Sequence, residues 1–171
     1  MKVILYMATT ANGMIAGEDD DTSFASDVEW ESFRSMINRV GNMIIGRRTY
    51  EVMKEGGEFS GLENIKVVVL TRDTSLKSDI PNIVFKNQPK EVLKFLEEQG
   101  FKEALVAGGG KLNASFMKEG LVDEIYLDIE PTILGKGIKL FSDEDFKTNL
   151  ELIETKKLSP SEIQLHYRVK K

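Results

Sequence analysis

The chain has 171 residues, 41% of them apolar, which suffices for one substantial core and predicts a single domain over residues 1–171. A net charge of -5 gives no general attraction to nucleic acid or an anionic membrane, so neither is expected as a partner. The sequence has no cysteine and a single histidine, which excludes disulfides, thiolate nucleophiles and histidine-rich metal sites; no metal is expected. Without a signal sequence or a run of roughly 20 apolar residues, a cytoplasmic location is expected.

Short apolar runs alternate with helical patterns along the first half of the chain, as in a sheet with helices packed on its faces. Asp27 can cap a helix in which the apolar residues from Trp30 to Val40 recur every three or four positions, and Gly41 ends it. The acidic run at 18–21 predicts a solvated loop. The predicted elements are a strand at 3–9, a helix at 27–40, a strand at 42–45, a short helix at 47–54 and a strand at 66–70.

The second half of the chain continues the alternation and ends in strands. Gly100 and Gly120 are expected to end two helices. The predicted elements are strands at 82–85 and 104–107, helices at 90–99 and 112–119, and strands at 124–129, 150–158 and 163–169. The last two strands form a hairpin across 159–161. The pattern predicts a three-layer α/β/α fold with a central, mainly parallel sheet and antiparallel strands at the C-terminal end.

Three consecutive glycines, Gly108, Gly109 and Gly110, stand between a predicted buried strand and a predicted helix. Their missing side chains would let a phosphate approach backbone amides at the positive end of the helix. A tight strand-to-helix turn uses the same residues, so a phosphate site and a purely structural turn both fit. The spacing matches neither the Rossmann fingerprint nor the P-loop.

Basic residues follow two further predicted strands. Residues 46–49 are Gly, Arg, Arg and Thr, and two guanidinium groups at a helix N-terminus oppose its dipole unless an anion binds there. Thr71 and Arg72 follow the strand at 66–70 and offer a hydroxyl and a fork-shaped donor. Each pattern alone also fits solvated charges. Three such sites at strand ends favour a dinucleotide that carries an extra phosphate.

Several segments together resemble the dihydrofolate reductase and RibD C-terminal family. They are Ala8, residues 12–16, the turn 46–49, residues 70–72 and the stretch 105–141, which includes Val122, Asp123, Glu124, Pro131 and Gly135. The resemblance covers nearly the whole chain and preserves the order of the segments. It implies a dihydrofolate reductase-like fold, NADPH as cofactor and a homodimer.

The resemblance also implies roles for individual positions. Backbone at Ala8 and Ile15 brackets the nicotinamide carboxamide, and Thr71 and Arg72 meet the 2′-phosphate. The remaining contacts are Arg47, Arg48 and Thr49 with the adenosine phosphates, and Gly109, Gly110, Lys111 and Leu112 with the pyrophosphate. The complete set of implied cofactor positions is Ala8, Ile15, Gly46, Arg47, Arg48, Thr49, Leu70, Thr71, Arg72, Gly108, Gly109, Gly110, Lys111 and Leu112.

On the substrate side the chain departs from both well-known branches of that family. Classical dihydrofolate reductases carry an arginine just before the strand at 66–70, where this chain has Leu, Glu, Asn and Ile at 62–65. Riboflavin pyrimidine reductases usually carry Asp before the early glycine and a segment of the Asp-Asn-Pro-Leu-Arg type after the Gly-Arg-x-Thr turn. This chain has Asn12 and the stretch 55–61 there. Neither folate nor a phosphoribosylated pyrimidine is therefore indicated.

Asp27 is the candidate catalytic acid, because it is the carboxylate nearest to where dihydrofolate reductases place their proton-assisting acid. Burial in an apolar pocket would raise its pKa and let it protonate or orient a pyrimidine-like ring. An exposed helix N-cap explains the same residue. His166 is expected on the last strand, with no assigned role.

The sequence therefore predicts an NADPH-dependent reductase that transfers hydride to a small heterocycle, pterin-like or pyrimidine-like, or to a conjugated carbonyl. A dihydrofolate reductase and the riboflavin-pathway 5-amino-6-(5-phosphoribosylamino)uracil reductase are the alternatives within enzymes. A non-catalytic protein that binds NADPH or another nucleotide is the alternative outside them.

Overall fold

The structure is a computed structural model that describes residues 1–73 and 75–171. The strands are β1 (Lys2–Thr10), β2 (Met14–Ala16), β3 (Asn42–Gly46), β4 (Lys66–Leu70), β5 (Ile83–Lys86), β6 (Glu103–Val106), β7 (Glu124–Glu130), β8 (Ile138–Lys139), β9 (Asn149–Lys157) and β10 (Ile163–Lys170). The helices are α1 (Asp27–Val40), α2 (Arg47–Glu55), α3 (Pro89–Glu98) and α4 (Gly110–Lys118). Within the described residues, no helix is long and apolar enough to cross a membrane.

Eight of the strands form one sheet in the order β5-β4-β3-β6-β1-β7-β10-β9. The pairs from β5 to β7 are parallel, and β10 runs antiparallel to both β7 and β9. The predicted mainly parallel sheet with antiparallel C-terminal strands is confirmed. Its consequence for function is that the carboxyl ends of β4, β3, β6 and β1 meet at one edge, where open α/β sheets bind ligands.

Each face of the sheet is covered by its own helices. The alternation of side chains along β1 sends Ile4 and Tyr6 to one face and Val3 and Leu5 to the other. The first face packs against α1 and α2, and the second against α3 and α4, through these buried helix residues: Ile37, Val40, Tyr50, Met53, Val92, Leu96, Phe116 and Met117. The three-layer arrangement follows from burying both faces of the sheet.

Helix α1 begins as predicted, but its cap is a different residue. Ser26 has extended backbone angles, and its side chain accepts a hydrogen bond from the N–H of Glu29, as an N-cap does. The prediction that Asp27 caps the helix is therefore wrong, since Asp27 is the first helical residue and is exposed. The buried stripe also begins earlier than predicted, at Glu29, while Trp30 is half-buried.

The two-stranded sheet of β2 and β8 was not predicted, because strands of three and two residues are too short to show a period. Helix α4 starts at Gly110, two residues earlier than predicted, and Glu119 is its C-cap. Likewise Gln99 is the C-cap of α3, and Gly100 follows it with φ 90°. The other bounds lie within one or two residues of the predicted ones.

Candidate functional site

A cavity opens at the carboxyl end of β1, between the sheet and the start of α1. Its lining consists of Tyr6, Met7 and Ala8 of β1, Ile15 of β2, Thr22, Phe24 and Ala25 of the loop before α1, Glu29, Trp30 and Phe33 of α1, and Ala107 after β6. The aromatic rings support one another, with centroids 5.3 Å apart for Tyr6 and Phe33 and 5.9 Å apart for Trp30 and Phe33. The walls are apolar apart from a few polar groups, as is typical of small-molecule sites.

The size of this cavity limits what it can hold. Its volume is about 160 Å³, and an apolar cavity of roughly 150 Å³ accommodates benzene. The space is therefore sufficient for one flat ring, with the rest of a larger molecule lying in the open part of the cleft.

Glu29 is the only carboxylate among the described residues that line the cavity. It is 6% exposed, and no donor in the described part of the chain reaches its carboxyl oxygens. Burial, and after it the negative charges of Asp128, Glu130 and Glu162, raise the pKa of Glu29 to about 8. At neutral pH this side chain is therefore mainly a neutral acid that can give up a proton.

Behind the cavity wall, Tyr6 belongs to a buried polar network. Its hydroxyl hydrogen-bonds to Asp128 and lies 2.8 Å from Ser32 Oγ. The amide of Gln164 donates to the other oxygen of Asp128 at 2.8 Å. Burial and the adjacent Asp128 raise the pKa of Tyr6, which keeps its hydroxyl protonated.

The structure brings most predicted cofactor residues together along one edge of the sheet. Gly46 is opposite Leu70 in the β3–β4 pair, and its N–H donates to Gly108 O at 2.8 Å. The residues concerned are Gly46, Arg47, Arg48 and Thr49 after β3, Leu70, Thr71 and Arg72 at the end of β4, and Gly108, Gly109, Gly110, Lys111 and Leu112 after β6. Ala8 and Ile15 lie in the wall of the cavity, and a Cβ on Gly109 would stand 3.8 Å from Ile15 Cδ1. The row therefore leads into the cavity.

The three glycines are not equivalent. Gly108 has φ 86°, and a Cβ on Gly110 would overlap the carbonyl oxygen of Lys139, so the fold itself requires glycine at both positions. Gly109 has a negative φ of -83°, and a Cβ there would stand 3.5 Å from Thr49 Oγ1, at ordinary contact distance. A Cβ at 109 would therefore meet no steric clash. A cradle that a Cβ would fill is the geometry expected where backbone must touch a ligand.

Two of the three arginines of this edge, Arg47 and Arg48, are paired with acidic groups. Arg48 Nε donates to Asp20 Oδ2 at 2.7 Å, and Arg47 Nε donates to Glu51 Oε1 at 2.8 Å. Arg47 also lies 3.7 Å from Asp73. Both guanidinium groups are exposed at the N-terminus of α2. Asp20 and Glu51 thus occupy donors that an anionic ligand would use.

The predicted acid Asp27 is exposed and lies outside the cavity lining. The cavity carboxyl, Glu29, is two residues further along α1. Sequence reasoning missed Glu29, although its spacing of four from Phe33 and eight from Ile37 indicates the buried face of the helix. Asp128 was missed as well, because a carboxylate in a half-buried strand gives no pattern. Within the described residues, no group of three acidic or histidine side chains is arranged to hold a metal ion.

The geometry agrees with the comparison to known families, in which the RibD C-terminal domain matches residues 1–163. The chain belongs to the RibD C-terminal domain family. The resemblance drawn from the sequence is thereby confirmed. In this family, protein YwjB of Bacillus subtilis (strain 168) is 31% identical over 171 residues, covering 97% of both chains.

Solved structures share the RibD C-terminal fold. The diaminohydroxyphosphoribosylaminopyrimidine deaminase/5-amino-6-(5-phosphoribosylamino)uracil reductase of Thermotoga maritima has a TM-score of 0.77 and 21% identity, covering 98% of this chain and 56% of that chain. Dihydrofolate reductase from Enterococcus faecalis, complexed with NADP(H), has a TM-score of 0.76 and 15% identity, covering 99% and 97%. At these identities the two solved structures show a shared fold.

Proposed function

We propose that this protein is an NADPH-dependent reductase of a small heterocyclic or conjugated carbonyl compound. The observation that carries the proposal is the continuity between two features. A row of glycines and basic residues along the ends of β4, β3 and β6 leads into a cavity with a buried, protonated Glu29. An anionic cofactor along the row would place its reactive end beside a ring in the cavity.

The residues present fit an NADPH molecule. The Gly109 cradle would admit the pyrophosphate beside the N-terminus of α4, where backbone N–H groups and the helix dipole favour an anion. Arg47, Arg48 and Arg72 supply cations around the adenosine half of the cofactor, where its 2′-phosphate lies. The relative from E. faecalis, whose structure is complexed with NADP(H), shares this fold.

The chain's own residues have two tasks in the reduction. When bound, NADPH supplies the hydride, that is, two electrons and one proton, from its nicotinamide ring. Glu29 holds the second proton at its carboxyl oxygen and passes it to the reduced substrate, leaving a carboxylate that solvent reprotonates. Trp30 and Phe33, with Tyr6, enclose the ring of the substrate and exclude water from it.

We also propose that the protein acts as a homodimer, formed through the outer strands of the sheet. Every residue of the edge strand β9 is exposed. Leu150, Leu152 and Ile163 on β9 and β10 are 39%, 55% and 37% exposed, and an apolar sheet edge is usually covered by a partner. Light scattering at micromolar concentration tests the mass expected for two chains.

Turnover assays with paired variants test the proposed reaction. Purified protein and NADPH are incubated with pterins, pyrimidinones, flavins and quinones, and the loss of reduced nicotinamide absorbance is followed. With a substrate found in this way, Glu29→Gln should lower kcat by roughly 10² to 10⁴, whereas Asp27→Asn, which alters an exposed carboxylate of the same helix, should not. If no compound is reduced while NADPH binds, the protein is a non-catalytic binder. If only Asp27→Asn impairs turnover, Asp27 is the acid.

A further inference from the structure

The cavity and the network behind it contain two buried carboxyl groups in unlike surroundings. Asp128 is 1% exposed and Glu29 is 6% exposed. Asp128 accepts hydrogen bonds from the Tyr6 hydroxyl and from the Gln164 amide, which is 2.8 Å away. The carboxyl of Glu29 receives none from the described residues and faces the cavity. Asp128 is therefore hydrogen-bonded by protein donors, whereas Glu29 is not.

Glu29 and Ser32 lie on successive turns of α1, and the Ser32 hydroxyl is 2.8 Å from the Tyr6 hydroxyl that binds Asp128. A negative charge on Asp128 therefore disfavours ionisation of Glu29. The group with hydrogen-bond donors is the better anion, and the group without them keeps the proton. Burial raises the pKa of Asp128, but the hydrogen bonds from Tyr6 and Gln164 oppose that rise. The surroundings thus separate the two groups into an anion and an acid.

We propose that Asp128 is a positioning residue for the reduction, which as the hydrogen-bonded anion keeps Glu29 protonated next to the substrate. The proposal rests on the proposed function, because the benefit lies in proton delivery to a ring in the cavity. Asp128 does not line the cavity and acts through Glu29 and Tyr6. No bond is formed or broken at Asp128 itself.

Other charged groups also face Glu29 and Asp128. Glu130 of β7 accepts a hydrogen bond from the N–H of Ser26 at 3.0 Å, and Glu162 precedes β10; the charge of both also disfavours ionisation of Glu29. Lys156 of β9 favours the ionised form of Asp128. Glu130 and Glu162 therefore favour protonated Glu29, and Lys156 favours ionised Asp128. Unlike Asp128, none of the three hydrogen-bonds to the cavity residue Tyr6.

The test is a titration of the carboxyl groups themselves, which requires no substrate. Protein with ¹³C-labelled Glu and Asp carboxyl carbons is titrated by NMR, and the Glu29 signal is assigned from its loss in Glu29→Gln. The variant Asp128→Asn keeps the shape of the side chain and removes its charge, so the titration midpoint of Glu29 should fall by roughly one pH unit. The matched control Glu31→Gln alters an exposed carboxylate of the same helix and should leave the midpoint unchanged.

A second variant keeps the proposal testable if Asp128→Asn does not fold. Tyr6→Phe removes one donor from Asp128, so the titration midpoints of Asp128 and Glu29 should move towards each other. Unchanged midpoints in either folded variant would overturn the proposal. Failure of the proposed function would be seen separately, as absence of NADPH binding with the Glu29 midpoint still dependent on Asp128. With a substrate at hand, kcat of Asp128→Asn should decline at lower pH than that of the wild type.

Discussion

At the scale of single residues, the ionised form of Glu29, which exists at high pH, destabilises the folded protein. Its ordinary pKa is 4.5, and in the folded protein burial and the nearby Asp128, Glu130 and Glu162 raise the pKa to about 8. The folded state therefore binds this proton more tightly than the unfolded state. The resulting stabilisation is fully present below pH 4.5 and is lost as the pH rises through 8.

We expect Glu29→Gln to change the pH dependence of stability in a defined direction. Glutamine cannot ionise, so the free energy of unfolding of the variant should exceed that of the wild type by about 2 to 4 kcal/mol near pH 9. The advantage should shrink as the pH falls towards the ordinary range of the carboxyl group. Urea unfolding across this pH range measures the effect, with Glu31→Gln as exposed control. A constant difference between variant and wild type would show that Glu29 ionises normally.

The start of α1 carries several polar residues, of which Glu29 faces the cavity. Ser26, Asp27 and Glu29 can all serve at a helix start, and the sequence does not say which side chain turns inward. Glu29 does so because it lies on the same stripe as Phe33 and Ile37. Periodicity could have identified it, whereas the partnership with Asp128 could not be predicted, since β1, α1 and β7 are distant in sequence. The role of Asp27 as acid stays a prediction.

At the scale of elements, the loop before α1 links the cavity to Arg47 and Arg48 at the start of α2. Its residue Asp20 has φ 66° and binds Arg48 of α2, while Thr22 and Phe24 of the same loop line the cavity. An anion that binds Arg48 must displace the Asp20 carboxylate. Cofactor binding and the shape of the cavity wall are therefore connected through this segment.

We expect Asp20→Asn to strengthen NADPH binding, because the variant removes a charge that competes for Arg48. Asparagine adopts positive φ as aspartate does, so the loop should keep its backbone conformation. Exposed ion pairs are weak, and the affinity should rise by only about two- to five-fold. Calorimetric titration measures it. The control Asp19→Asn changes an exposed carboxylate in the same loop that has no described ion pair, and equal affinities of both variants would show that Asp20 does not compete.

At the scale of the whole molecule, most of the architecture could be predicted from the sequence. Buried strands of β-branched residues such as Lys66–Leu70, followed by amphipathic helices, dictate a parallel sheet covered on both faces. The small sheet of β2 and β8 could not, because strands of three and two residues are too short to show a period. The row of strand-end residues followed from topology, since carboxyl ends of parallel strands share an edge. The single-domain assignment stays a prediction.

If this edge of the sheet binds NADPH, titration of the protein with NADPH and with NADH should distinguish the two cofactors. The family resemblance implies that Arg72 meets the 2′-phosphate, and the two cofactors differ only in that group. Isothermal titration calorimetry should give NADPH an affinity roughly ten-fold higher or more, with Arg72→Ala reducing NADPH affinity and leaving NADH unchanged. Equal affinities for the two cofactors, or binding of neither, would contradict the account.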